Sequence, residues 1–204
     1  MKTEHTSNNI EPEKPFRIGG VMIVPYLLCA AYFIYAICKY ATAEENGDYS
    51  SLFYLIHGPL HEVGHFLFSS NMFPLLLHVA AGTLFQWLTP IAAGLQFIRI
   101  REFPALAVCV GWLGLSMLDT MVYMRDALEL KLTLVSPFAN GGEIIHDWRY
   151  IFQHTGTLKY TNGIANLTGG IGYLLVTIAV LWIFYMIARM AYEMFQKAIA
   201  PSSR

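Results

Sequence analysis

Charge is what this sequence has least of. Only 13% of its 204 residues are Asp, Glu, Lys or Arg, against about 25% in soluble domains. That shortage argues against an ordinary soluble enzyme and against a disordered chain, which needs many charges and few apolar groups. The 13 basic and 14 acidic residues nearly cancel, so no basic face exists for nucleic acid. Cysteine is scarce as well. Cys29, Cys38 and Cys109 are the three, with no CxxC pair among them. This excludes a disulfide framework or a cysteine zinc site, and all three read as small buried hydrophobes. No internal repeat is present, and no segment alternates like the strand of a membrane barrel.

Apolar sequence fills the space that charge leaves. Hydrophobic residues make up 55% of the chain, and the mean hydropathy is +0.45. Residues 1–17 form a polar tail with Pro12 and Pro15. Residues 18–40 are then apolar except for Lys39, long enough to cross a hydrocarbon core of roughly 30 Å. Ala41-Thr42-Ala43 resembles a signal-peptidase site, but the run before it exceeds the usual h-region of about 7–15 residues. It is therefore expected to be an uncleaved anchor. Further apolar runs cover 75–98, 104–124 and 163–190, and a basic amphipathic stretch follows the last.

Residues 51–69 are a fifth, ambiguous segment, either spanning or re-entrant. Re-entry leaves slightly more basic residues on the side of the N-terminus. The expected architecture is an all-α polytopic membrane bundle of four to five helices. One domain covers 18–197, flanked by tails 1–17 and 198–204. Helices are required because only they, short of a closed barrel, satisfy their own backbone in lipid.

The ambiguous segment carries His61-Glu62-Val63-Gly64-His65, an HExxH pattern. On a helix, residues four apart share a face, so both imidazoles can reach one metal ion. Glu62 then lies where it can take a proton from metal-bound water. The membrane context strengthens the signal, because each ionisable group at that depth costs a few kcal/mol on insertion scales. Zinc is the expected ion, with a third protein ligand and one open position. His57 lies one turn before His61. Pro59 suits the first turn of a helix, which sets His57 before the helix and in a structural role.

Two candidates exist for the third ligand. Asp119 interrupts an otherwise apolar helix, about 22 Å along from Pro104, with Tyr123 and Asp126 following on the same face. His146 lies after Gly141-Gly142, at the start of a short helix over 147–153 that Asp147 would cap. His78 and His154 carry no expected role. Whether residues 51–69 span or re-enter, His61, His65, Asp119 and His146 come to one membrane face.

These residues resemble two groups of proteins. Site-2-protease-type intramembrane metalloproteases place HExxH in one membrane helix and an Asp ligand, commonly as L-D-G, in a later one. Here Leu118-Asp119 matches and Thr120 replaces the glycine. The closer resemblance is to an uncharacterised family of bacterial multi-pass membrane proteins. It rests on the HExGH run, on Trp112-Leu113-Gly114 with Leu118-Asp119, Tyr123, Asp126 and Ala127, and on Gly141-Gly142-Glu143 with His146-Asp147-Trp148. It implies that the three motifs form one unit.

The expected function is a zinc-dependent intramembrane hydrolase, a metallopeptidase first. His61 and His65 hold zinc with Asp119 or His146, Glu62 is the general base, and Tyr123, or His146 where it is not a ligand, donates to the developing oxyanion. Its partners are the bilayer of a bacterial inner membrane and a membrane protein or peptide substrate. The alternatives are a di-iron oxygenase or lipid-modifying enzyme, suggested by HxxxHxxxH at 57–65, and a non-enzymatic metal-binding protein.

Overall fold

A computed structural model of the chain describes residues 23–43, 51–69, 71–132, 134 and 145–199. The tail 1–17, residues 200–204 and the turn cluster at 137–142 lie outside them, while residues 198 and 199, expected in the C-terminal tail, belong to the last helix. The described residues are all-helical. α1 is Ile23–Ala43, α2 Tyr54–Leu67, α3 Leu75–Arg99, α4 Phe103–Glu129, α5 Asp147–His154 and α6 Thr161–Ile199, the last preceded by a 3₁₀ turn at Leu158–Tyr160. Four of these, α1, α3, α4 and α6, are long and apolar enough to cross a membrane. Many large apolar side chains on them point outward, among them Leu28, Leu88, Leu174 and Leu181. In water that surface would drive aggregation. In lipid it is the expected solvent-facing side, and the chain is a membrane protein.

The core sits on α4. Of its most apolar window 56% is buried, against 22–33% in the other three spans. Leu115, Leu118, Met121 and Met124 of α4 pack with Phe33 and Tyr40 of α1 and with Val176 and Ile183 of α6. Glycine lets α4 and α6 approach. A Cβ at Gly114 would lie 2.8 Å from the Gly172 carbonyl oxygen, and one at Gly172 would lie 2.9 Å from that of Gly114. Small residues at such crossings let helices meet by van der Waals contact where lipid supplies no hydrophobic drive. Of the three cysteines only Cys109 is buried; Cys38 is exposed on α1. An apolar surround is no guide to burial when lipid supplies half of it.

α2 has 14 residues, about 21 Å of helix, which is too short to cross. Its partners fix its direction. His57 meets Asp119 of α4, and one turn on His61 faces Tyr123, so α2 and α4 run the same way. α3 returns antiparallel beside α2, with His65 against His78 and Gly64 against Ala81. The helix also begins earlier than its proline suggests. Ser51, Leu52 and Phe53 accept the first N–H groups, so the helix already includes His57, and Pro59 lies inside it.

Candidate metal centre

His61 and His65 stand one turn apart on α2, and their Nε2 atoms approach to 3.0 Å. The carboxylate that joins them is that of Asp147. Its Oδ2 lies 2.8 Å from His61 Nε2 and 3.1 Å from His65 Nε2. These three are the one group of metal-ligating side chains found among the described residues, and their donor atoms all lie within 4.8 Å of one another. The side chains are 14%, 15% and 6% exposed.

The donor set fits a divalent metal. Ligand atoms at about 2.0 Å in tetrahedral array lie about 3.3 Å from each other, close to the separations here. The tautomer fits too. His65 Nδ1 lies 2.8 Å from the His78 carbonyl oxygen, which only accepts, so Nδ1 carries a proton and the neutral ring presents its lone pair at Nε2. With His61 in the corresponding tautomer, two imidazole nitrogens and a carboxylate would face one point and could hold a cation.

α3 leaves room for it. A Cβ at Gly82 would lie 2.6 Å from both His61 Nε2 and His65 Nε2. Gly82→Ala is therefore expected to lower metal affinity at least about tenfold, the scale at which shifted ligands are felt. Isothermal titration of the metal-free protein checks it, and unchanged affinity would remove Gly82 from the site.

The electrostatics are those of a metal-free cluster. Burial pulls the His65 pKa down, but the Asp147 hydrogen bond and charge outweigh it and the net shift is upward. Burial pushes Asp147 up, while hydrogen bonds from His61 and His65 bring it below the usual carboxylate range. A metal ion at this site would compete with a proton on His65 for one nitrogen.

The structure sorts the expected site residues. Asp119, expected as a third ligand, lies instead against Tyr40, Ser51 and His57. His146, the other candidate, is the cap of α5. Its Nδ1 accepts the Arg149 N–H at 3.2 Å, and its Nε2 donates to Asp126 at 3.1 Å. Burial holds it below the usual histidine range against the pull of Asp126. So the capping role expected of Asp147 falls to His146. The cap is one residue earlier, and the first helical residue turns its carboxylate to the imidazoles.

Asp126 serves this arrangement. Its Oδ1 accepts the backbone N–H groups of Lys131 and Leu132 just after α4, while Oδ2 holds His146. The Tyr123 hydroxyl accepts the Asp147 N–H at 3.1 Å, and its ring lies 4.3 Å from that of His146 and 6.0 Å from that of His61. Glu62 is half-buried on α2 between the two imidazoles in sequence. His78, given no role by the sequence, holds the end of α2 twice. Its carbonyl takes His65, and its Nδ1 donates to the Phe68 carbonyl at 2.9 Å. No pattern around it signals this. His154 stacks on Tyr150.

Comparison with family models, with curated proteins and with solved structures finds no match to this chain.

Proposed function

We propose that the chain is a zinc-dependent hydrolase acting within the membrane, a metallopeptidase in the manner of the HExxH enzymes it resembles. The observation that carries the reading is the convergence of His61 Nε2, His65 Nε2 and the Asp147 carboxylate on the helix that also bears Glu62. Two imidazoles and one carboxylate are a common catalytic zinc set, with a fourth position free for water.

Bound zinc would polarise a carbonyl oxygen and bring the pKa of its water toward about 7. The chain's own residues do the rest. Glu62 accepts the water proton and returns it to the leaving amine. The Tyr123 hydroxyl already accepts the Asp147 N–H, so its own proton is available for an oxyanion. Asp126 and His146 hold Asp147 in place. Tyr123 lies six residues from the end of α4, about 9 Å along the helix, which supports access for a substrate held in the bilayer. This suits a membrane-embedded protein or peptide, and an inner bacterial membrane is the setting that the resemblance implies.

The test is metal content. Detergent-purified protein should hold about one zinc per chain by mass spectrometry, and His61→Ala should hold none. Equal zinc in both, or none in either, would overturn the reading.

A further inference from the structure

A second cluster of buried polar groups lies one helical turn below the metal centre. Asp119 of α4 is its middle. The Tyr40 hydroxyl of α1 donates to Oδ1. The Ser51 hydroxyl donates to Oδ2 at 3.3 Å, and His57 Nδ1 meets the same oxygen at 2.5 Å. On the far side of the imidazole, the Trp112 indole N–H donates to His57 Nε2 at 2.9 Å. His57 is 1% exposed and the Asp119 side chain 8%.

The hydrogen-bond inventory fixes the protons. An indole N–H only donates, so His57 Nε2 must accept and bears no proton. Nδ1 therefore carries it and donates to Asp119. Three donors then converge on one carboxylate, and both ring nitrogens of His57 are taken. His57 has no nitrogen left to offer a metal ion or a substrate, and both oxygens of Asp119 are engaged. A merely adventitious polar contact in this apolar setting would leave such groups unpaired, which is costly; here each of these groups has a partner.

What the cluster joins is as telling as its chemistry. It ties α1, residue 51, α2 and α4 at one point. α2 is short and does not span. His78 pins its C-terminal end to α3. The Asp119 cluster pins its N-terminal half, and His61 and His65 lie between the two pins. We infer that Tyr40, Asp119, His57 and Trp112 form a metal-free anchor that sets the depth and rotation of α2, so that Asp119 and His57 are positioning residues for the metal ligands. The positioning role rests on the proposed metal reading; the proton arrangement does not.

Two measurements test it. The first is the ¹⁵N spectrum of histidine-labelled protein in detergent, with His57 assigned by its loss in His57→Gln. His57 should appear as the neutral Nδ1–H form, and Trp112→Phe should free Nε2 to take up a proton while Nδ1–H stays on Asp119. An Nε2–H or doubly protonated His57 in the unmutated protein would overturn the anchor. The second is zinc titration of metal-free variants. Asp119→Asn turns an amide N–H₂ toward donors and should weaken zinc about tenfold while keeping one site per chain. Adding Tyr40→Phe removes one of the opposed donors and should recover most of that loss. A complete loss of zinc in Asp119→Asn, unrelieved by Tyr40→Phe, would make Asp119 a ligand and refute the positioning role. Should the unmutated protein bind no zinc, the metal reading fails and the positioning role with it, while the spectrum still decides the anchor.

Discussion

Glu62→Gln is expected to keep its zinc and lose its turnover. Glutamine has the shape of glutamate and can still accept a hydrogen bond, but it cannot take up a proton. Glu62 is not among the three converging donor groups, so the ion should stay. General acid–base groups contribute roughly 10² to 10⁴ in rate, and here one group both receives and returns the proton. A loss of at least about 10³ is expected. It is read as cleavage of a membrane-embedded peptide beside zinc content of the same sample. Full activity with zinc bound would end the hydrolase mechanism and leave a metal-binding protein. Loss of both would place Glu62 among the ligands.

The second large effect is expected at Asp147. Its carboxylate is the one oxygen donor between the two imidazoles. Asp147→Ala leaves two neutral nitrogens, and zinc affinity should fall more than about 100-fold, beyond what the loss of a supporting hydrogen bond costs. Asp126→Asn is a useful companion. It weakens the grip on His146 but leaves all three donors in place, so its loss should be smaller. Competition against a zinc-sensitive dye measures both. If Asp147→Ala binds zinc as tightly as the unmutated protein, the carboxylate is a hydrogen-bond partner of the imidazoles and the third ligand must be sought elsewhere.

Much of this was legible in the sequence, for physical reasons. Lipid demands long apolar helices, so the spans at 75–98, 104–124 and 163–190 stand out, and α3, α4 and α6 contain them with ends extended by a few polar residues. The pairing of His61 with His65 follows from the helical repeat alone. The third donor was hidden by one residue. Whether His146 or Asp147 starts α5 is a matter of cap geometry, and both side chains can cap or ligate. Asp119 misled because a lone carboxylate in an apolar helix must have a partner, and the sequence does not say which. Its partners, Tyr40 and Ser51, come from 79 and 68 residues away, beyond the reach of any local pattern. Gly82 was silent, since a missing side chain has no signature until its neighbour is known.

The polar residues of α4 also bear on motion. Asp119, Tyr123 and Asp126 lie along one stripe, engaging His57, the Asp147 N–H and His146 in turn. A rotation or slide of α4 by a single residue would break all three engagements together. α4 therefore behaves as a fixed ruler on which the other parts are registered. α5, eight residues long, is registered on the same ruler: its cap His146 meets Asp126, Arg149 reaches the Ala127 carbonyl and Phe152 is buried. Any displacement of α5 along α4 would carry the Asp147 carboxylate away from His61 and His65.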